Sequence, residues 1–444
     1  MDKIDARETW RPGAPDATRI QSSFKQRRNA SECIHSAFGY ISLSFVFQCY
    51  NALLYLGGGR GEDLDASNPI RLLLFLAIYT TATLFCLRKI PYTAGTFYEN
   101  PILLTIAIYP LLTLLWSVDP GITFRRSLAH TLTIILCVYY FIYLTPENFL
   151  RMSSRILLVA GIFSIFYTLF FPSVAVHNCC GLEGSFKGIF GHKNDLGRIS
   201  VIAIICAIYA PPSIKYPHWS CSLTLGVYLI LLLGSQSTTN ILTSLLVIGF
   251  AVFLKFIASS KLSETLRVMS TILVASIIIF AVTLGLGTVL ELFGKDTTFS
   301  GRTTLWSALS EILRQKYTYL GAGYGAFFTN QGAGLDLTTY IAYWYKIPTH
   351  AHNGYWDARV NIGIPGLVIL FIALAIYLIR ALKCLNNRRI SIGAPAICYF
   401  LLFSINNYTE SETFQNGDYP WVIFITILLY LGKRSTLSYG AFKT

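Results

Sequence analysis

Charged residues are scarce in this sequence: they make up 13% of its 444 residues, whereas hydrophobic residues make up 54%. A soluble domain of ordinary composition carries roughly twice that charged fraction. Apolar stretches such as 267–292 and 361–382 have almost no interior charge, and each is long enough to cross about 30 Å of hydrocarbon. The composition therefore predicts an all-α polytopic membrane protein.

Several other features are missing. The ten cysteines follow neither a disulfide framework nor a zinc-site spacing, and the pair in a predicted outside loop, Cys179 and Cys180, is adjacent, which would strain a bridge. Residues 1–35 are polar and basic, so no cleavable signal peptide is evident. The formal net charge of +13 is distributed between the apolar segments, which argues against nucleic acid as a partner.

Twelve apolar segments are predicted to span the membrane. They are 36–56, 69–86, 101–116, 127–144, 156–172, 195–211, 220–235, 238–258, 267–292, 361–382, 391–405 and 420–432. An even number of spans puts both termini on one side, and the excess of lysine and arginine in alternate connections identifies that side as the cytoplasm. The predicted parts are a basic cytoplasmic tail at 1–35, spans one to nine at 36–292, a large periplasmic loop at 293–360, spans ten to twelve at 361–432 and a cytoplasmic tail at 433–444.

A basic, glycine-bearing motif precedes the sixth span. His192, Lys193 and Arg198 are predicted to cluster at its outer mouth, where Asn194 or Asp195 would cap the helix. A helix N-terminus adds a partial positive charge and free N–H donors, so the cluster suits an anion. The alternative interpretation is a polar cap whose basic side chains snorkel to the headgroups.

Arg302 follows Gly301 and precedes an apolar, aromatic-bearing run that indicates an interfacial helix. Its planar guanidinium suits two-point binding of a phosphate, and the alternative is an arginine at the headgroup boundary. Downstream, 321–325 is a glycine-rich turn. It is no dinucleotide fingerprint, because no strand and helix context surrounds it.

His352 and Asn353 lie just before the tenth span. If a helix begins near His352, one face at about 100° per residue carries His352, Trp356, Arg359, Gly363 and Gly366. The glycines would let another helix approach closely. An imidazole with an ordinary pKa of about 6.5 beside an arginine suits general-base chemistry. His350 and His352 could instead bind a metal, but no acidic or cysteine partner lies at ligand spacing.

Glu410 and Glu412 lie in the last predicted outside loop, 406–419. Either carboxylate could orient the imidazole of His352 or balance the basic residues, and the alternative is a solvated loop. Aromatic residues are dense between 324 and 356. They could stack on sugars, although an interfacial belt accounts for most of them. All these motifs fall on one side of the predicted topology, which favours a single composite site.

The motifs resemble the O-antigen ligase and Wzy-type polysaccharide polymerase superfamily, and within it most nearly the exopolysaccharide polymerases of the ExoQ kind. The family signature, His-Asn, nine residues and Gly-x-x-Gly, is matched from His352 to Gly366. The runs Gly191–Gly197, Gly301–Arg302 with Trp306, and Trp116–Pro120 are further family-like features. The resemblance covers roughly residues 70–430.

This resemblance implies a GT-C-like, inverting glycosyltransferase of the bacterial inner membrane that takes a glycan from undecaprenyl diphosphate in the periplasm. It implies His352 as the base for the acceptor hydroxyl and Arg302 as the clamp on the diphosphate. The predicted diphosphate- and glycan-binding residues are Lys193, His192, Arg198, Arg359, Asn353, Glu410 and Glu412. No cofactor or metal is expected. The expected partners are the lipid-linked oligosaccharide, membrane lipid and other polysaccharide assembly proteins.

Other functions remain open at this point. Twelve spans suit a transporter or flippase of lipid-linked sugars, but coupled transporters place ionisable residues at the midplane. The predicted span interiors hold almost none, since His130 and Arg198 lie towards outer ends. A structural assembly factor is a further alternative. Within the enzyme class both a polymerase and a ligase fit, and we favour the polymerase.

Overall fold

The computed structural model describes eight stretches of the chain. They are 17–51, 69–178, 181–211, 217–292, 302–334, 336–337, 348–386 and 390–432. Within these stretches the regular structure is helical, apart from one isolated antiparallel bridge between Val176 and Phe186. The predicted all-α class is confirmed for the described residues.

The described residues form fifteen α-helices. These are α1 (Ala17–Val46), α2 (Pro69–Leu87), α3 (Ile90–Glu99), α4 (Pro101–Leu112), α5 (Pro120–Tyr143), α6 (Pro146–Phe170), α7 (Pro172–Ala175), α8 (Lys193–Tyr209), α9 (His218–Ser235), α10 (Thr238–Ser259), α11 (Glu264–Leu292), α12 (Arg302–Gln315), α13 (Gly354–Asn386), α14 (Ile390–Thr409) and α15 (Tyr419–Gly432). Proline opens several of them, because the first helical residue needs no N–H donor. Asp119 caps α5 by accepting from Ile122 N at 3.0 Å.

Each of the twelve predicted apolar segments overlaps one of these helices. Six helices are long and apolar enough to cross a membrane, namely α2, α5, α6, α9, α10 and α13. The bent pair α3 and α4, with an angle of 93° between them, would make a seventh span. The polytopic character of the chain is thus confirmed for the described residues, and the number twelve stays a prediction.

Some predicted features lie outside the described residues. They include residues 1–16 of the N-terminal tail, the C-terminal tail from 433 onwards, the Cys179–Cys180 pair and the parts 293–301, 335 and 338–347 of the predicted large loop. The described part of that loop does contain a helix, α12. The last predicted outside loop is shorter than expected, because α14 continues to Thr409.

Two apolar cores position the candidate site. The larger one surrounds α8, most of whose residues from Leu196 to Ala207 are buried, and includes nearly the whole of α15. The smaller core lies under α12, where Leu305 and Leu309 pack with Phe327. Burying these side chains holds the first residue of α12, Arg302, beside the chain that precedes α13.

The predicted helical face from His352 to Gly366 is wrong. Helix α13 begins at Gly354, after His352, and is broken at Gly363, whose backbone has φ 71° and ψ −167°. A Cβ at Gly363 would clash with the carbonyl oxygen of Tyr319, and Ile364 N donates to that same oxygen at 2.8 Å. Because Gly363 has no side chain, the loop that contains Tyr319 packs against α13 at this point. We had expected another helix to pack there.

Candidate functional site

Glu410 is the meeting point of three motifs that are far apart in the sequence. Its Oε1 accepts from Arg302 Nη2 at 3.0 Å and from Asn194 Nδ2 at 2.9 Å. Its Oε2 lies 3.6 Å from His352 Nδ1, just beyond hydrogen-bond range. The structure therefore brings the basic motif before α8, the start of α12 and the start of α13 to one carboxylate.

The N-terminus of α8 is capped by His192, and the predicted caps Asn194 and Asp195 are wrong. His192 Nδ1 accepts from Asn194 N at 3.2 Å. The preceding amide, Lys193 N, donates to His177 Nε2 at 3.2 Å. These two donors, which we expected to be free for an anion, are already used by imidazoles.

Arg198 is a buried cation that contacts two acidic side chains. Its guanidinium contacts Asp195, and its Nη1 lies 3.5 Å from Glu412 Oε1. It also lies over the Tyr419 ring, 5.5 Å from the centroid. Glu412 is 2% exposed, so the solvated-loop interpretation is wrong for this residue. The structure places Arg198 behind Glu412.

Arg302 is tied to the end of α14 by two separate nitrogens. Nη1 donates to the carbonyl oxygen of Thr409, and Nη2 donates to Glu410. The side chain is 18% exposed. Since a guanidinium carries five N–H donors in a planar fork, it has donors left for a further acceptor.

His352 lies in the left-handed backbone region with φ 50°, which histidine adopts more readily than most residues. The chain turns there because Gly354 N donates to the Glu410 carbonyl oxygen at 3.0 Å. A Cβ at Gly354 would clash with Asn407 Oδ1. A glycine at this position therefore lets the two backbones approach and sets the imidazole beside Glu410.

Asn353 is the cap of α13. Its Oδ1 accepts from Tyr355 N at 3.0 Å and Trp356 N at 3.2 Å, and the residue is 3% exposed. Arg359, further along α13, donates to the Thr318 carbonyl oxygen. Within the described residues, Arg359 makes no hydrogen bond or ion pair with the groups around Glu410.

A cleft of about 490 Å³ runs from the start of α13 along the outer face of α12. It is lined by Ser310, Leu313, Arg314, Thr318, Asn353, Tyr355, Trp356, Arg359, Leu367 and Tyr408. Asn353 and Tyr408 lie at its end nearest Glu410, since each is within two residues of a group in that cluster. Neighbouring residues of α13, Ile364, Val368 and Phe371, are exposed large hydrophobics. The cleft thus joins the polar cluster to an apolar outer face.

Burial and neighbouring charges set the protonation of the cluster. Burial lowers the pKa of His352 to about 4, the nearby His350 and Arg302 act in the same direction, and Glu410 opposes them. Burial favours the protonated form of Glu410, but His352 and the charges of Arg302 and Arg198 outweigh it and hold its pKa well below the usual range. At neutral pH the pair is therefore a neutral imidazole beside a carboxylate.

Glu412 differs from Glu410 in its charge state. Burial, with the negative charges of Asp418 and Glu410, raises its pKa to about 8, although Arg198 acts in the opposite direction. Two neighbouring carboxyl groups do not both ionise readily in a buried site, and Glu410 is the one that lies beside Arg302 and His352. Glu410 therefore carries the negative charge at neutral pH, and Glu412 is largely protonated.

A group of buried amide and hydroxyl side chains lies behind Asn194 and was not predicted from the sequence. Ser237 Oγ donates to Asn194 Oδ1 at 3.2 Å, and Asn240 Nδ2 donates to the Asn194 carbonyl oxygen at 3.3 Å. Asn406 Nδ2 donates in turn to Asn240 Oδ1 at 3.3 Å. The signal was available, because an asparagine inside an apolar span marks a buried partner or a site.

The aromatic residues near the site lie in separate environments. Tyr324 is buried, and its hydroxyl donates to Asn416 Oδ1 at 2.9 Å. Trp306 packs on Tyr408 with ring centroids 5.8 Å apart. Residues 340, 343, 344 and 345 lie outside the described residues. Among the described residues, no group of three or more His, Cys, Asp or Glu side chains could hold a metal ion.

Comparison with known proteins supports the resemblance read from the motifs. Residues 223–371 match the O-antigen ligase family (Wzy_C). The chain is also 26% identical to the exopolysaccharide production protein ExoQ of Rhizobium meliloti (strain 1021), over 71% of this chain and 72% of that protein. The predicted resemblance is confirmed. With the apolar helices, these matches support a membrane protein of the polysaccharide polymerase or ligase kind.

Proposed function

From this resemblance to the O-antigen ligase family, we propose that the chain is a membrane glycosyltransferase that joins oligosaccharide repeats carried on undecaprenyl diphosphate into exopolysaccharide or O-antigen. The proposed reaction takes place on the periplasmic face of the inner membrane, without a metal. The observation that carries the proposal is the convergence of Arg302, His352 and Asn194 on the carboxylate of Glu410.

His352 is the proposed base. Its Nδ1 faces the Glu410 carboxylate, which leaves Nε2 to take the proton of an acceptor hydroxyl. The carboxylate then stabilises the imidazolium that forms. General-base catalysis of this kind contributes about 10²–10⁴-fold. A bound diphosphate would add negative charge nearby, and this charge would raise the pKa of His352 towards the range in which a base is most effective.

Arg302 is the proposed clamp on the leaving group. The acceptor oxygen forms a bond to the anomeric carbon, and the bond from that carbon to the diphosphate oxygen breaks, with its electron pair leaving on the diphosphate. Because this is one displacement, the configuration inverts. The remaining N–H donors of Arg302 and the charge of Lys193 would stabilise the developing negative charge. Arg198 lies behind Glu412 and acts as a positioning residue.

The cleft along α12 and α13 is the proposed place for the carrier lipid. Its inner end contains Asn353 and Tyr408, and its outer end reaches Leu367 on an apolar face. A carrier with a charged diphosphate and an apolar tail needs both surfaces at once. Arg314 and Arg359 in the cleft add cations along the route of the diphosphate.

A ligase that passes the glycan to a lipid or other acceptor is the second candidate, because the matched family is described as O-antigen ligase. Mass spectrometry of lipid-linked glycans in a deletion strain separates the two. Accumulated single repeats indicate a polymerase, whereas intact long chains on the carrier indicate a ligase.

Turnover of a lipid-linked oligosaccharide by the purified protein is the direct test of glycosyl transfer. A protein that turns over none, and that instead moves lipid-linked sugar across vesicles, would be a transporter.

A further inference from the structure

A small polar pocket lies where three distant parts of the chain meet. These are the end of α1, the first turns of α2 and the connection between α14 and α15. The pocket has a volume of about 180 Å³, and it is lined by Phe45, Gln48, Tyr50, Arg71, Phe75, Gln415, Asn416, Gly417 and Asp418. The proposed transfer reaction does not use any of these residues.

The backbone around the pocket is held in specific conformations. Gly417 has φ 67°, and a Cβ at this position would come within 2.6 Å of the Phe75 ring and 2.8 Å of Tyr79 Oη. Its N–H donates to Thr133 Oγ1 at 3.1 Å. On the facing side, Gln48 is a non-glycine residue with φ 58°. The surrounding contacts impose both turns, so the pocket is preformed.

The polar groups of the pocket are mainly neutral amides. Gln48 Nε2 donates to Asp418 Oδ1 at 3.2 Å, and Asn416 Oδ1 accepts from the Tyr324 hydroxyl at 2.9 Å. The side chain of Gln415 has no hydrogen bond to any other residue that the structure describes. A carboxamide offers two donors and one acceptor. Donors and acceptors are therefore both available to a ligand in this pocket.

A hydroxyl-rich ligand matches this lining. Each sugar hydroxyl both donates and accepts, as amides and a carboxylate do together. The negative charge of Asp418 offsets the attraction of Arg71 for an anion. The volume is below the roughly 300 Å³ at which pockets for drug-sized ligands begin, which suits a single sugar ring.

The pocket and the proposed reaction centre share one segment of chain. Glu410 begins the connection between α14 and α15, and Asp418 ends it. The next residue, Tyr419, lies under the guanidinium of Arg198 at 5.5 Å. A glycan whose reacting end lies at Glu410 therefore has a second polar site within reach of its other sugars.

We propose that this pocket binds one sugar ring of the glycan beyond the residue that reacts. The inference rests on the proposed function, because the lipid-linked oligosaccharide supplies the sugar. The pocket would hold the glycan in a fixed position while the reacting sugar is placed between His352 and Arg302. It would also make the protein selective for the repeat unit at a distance from the bond that forms.

The test is direct binding, measured without turnover. The probe is the repeat-unit oligosaccharide released from the cell's own polysaccharide by mild acid, titrated calorimetrically into the purified protein in lipid nanodiscs. Gln415→Ala should weaken binding by about 3–10-fold, the effect of one or two lost hydrogen bonds. Gln331→Ala is the matched control, since Gln331 is exposed and outside the pocket, and it should bind as the wild type does.

Two further arms identify the ligand. The lipid-linked repeat, titrated in place of the free oligosaccharide, should show the same loss in Gln415→Ala if the donor occupies the pocket. A loss confined to the free oligosaccharide assigns the pocket to the acceptor. Inorganic phosphate should not compete. Competition by phosphate that strengthens in Asp418→Asn would identify an anion site at Arg71 and overturn the sugar proposal.

The outcomes also separate this inference from the proposed function. Unchanged binding in Gln415→Ala, or no binding by the wild type, contradicts sugar binding in the pocket, even if the protein turns over lipid-linked substrate. Binding that depends on Gln415 in a protein with no turnover supports sugar binding in the pocket and contradicts the proposed glycosyltransferase function.

Discussion

The carboxylate of Glu410 lies 3.6 Å from Nδ1 of His352, although one residue follows α14 and the other precedes α13. The contact depends on the close backbone approach at Gly354, whose N–H donates to the Glu410 carbonyl oxygen at 3.0 Å. Burial lowers the pKa of His352, and Glu410 partly opposes that effect. This pair is the proposed base and the group that orients it.

His352→Ala should lower turnover of lipid-linked substrate by about 10²-fold or more, because it removes the proposed base. The protein should remain in the membrane at its normal level. His350→Ala is the matched control and should be milder. The His350 ring packs on His352 at 4.0 Å between centroids, but it makes no hydrogen bond or ion pair with Glu410 among the described residues. Equal losses from both variants would show that the base is assigned wrongly.

Arg302→Lys should lower turnover by about 10–100-fold although the charge is kept, because one ammonium cannot replace a planar fork whose two nitrogens bond Thr409 and Glu410. Lys193→Arg should be tolerated better, since arginine still places a cation at that position. Initial rates with purified variants measure both. Full activity in Arg302→Lys would mean that Arg302 supplies only its charge.

EDTA should leave turnover unchanged in the purified protein. The proposed leaving group is stabilised by Arg302 and Lys193, in contrast to glycosyltransferases in which paired carboxylates hold a divalent ion. The measurement is the initial rate with EDTA alone and after adding Mg²⁺ or Mn²⁺. Loss of activity that either ion restores would contradict the cationic clamp.

Glu410→Gln should lower the rate and also shift the pH profile of kcat/KM. The base form of His352 is lost as pH falls through its pKa, which is about 4 in the unliganded protein. Glu410 raises that pKa, so its replacement should move the acid limb to lower pH, while the imidazolium loses its stabilising carboxylate. A lower rate with an unmoved acid limb would indicate a role in structure alone.

The predicted connections 173–194, 293–360 and 406–419 should all be periplasmic. Single cysteines introduced at Asn330 and Gln415 in a cysteine-free background should react with an impermeant maleimide on intact spheroplasts. Asn330 is exposed and Gln415 lines the small pocket, so the first should react faster. Labelling of either position only after lysis would contradict the topology.

The sequence by itself determined the helical membrane class and the approximate position of the long apolar helices. Segments such as 238–258 and 220–235 differ by at most two residues at either end from α10 and α9, because the length of an apolar run is a local property set by the thickness of the bilayer. It also indicated His352, Arg302, Lys193 and Glu410 as candidates, since titratable groups in glycine-bearing motifs are conspicuous in so apolar a chain.

Only the tertiary structure decided how those residues meet. Local pattern suggested a continuous helical face below His352, but the backbone of Tyr319 docks at Gly363 and breaks it. The sequence pattern also left Glu412 open to solvent, whereas packing buries it in contact with Arg198. Such contacts depend on which helices pack together, and that choice is made by side chains from distant parts of the chain fitting against one another. The same long-range packing joins α1, α2 and the last connection into the small polar pocket, which no single segment of the sequence could have revealed.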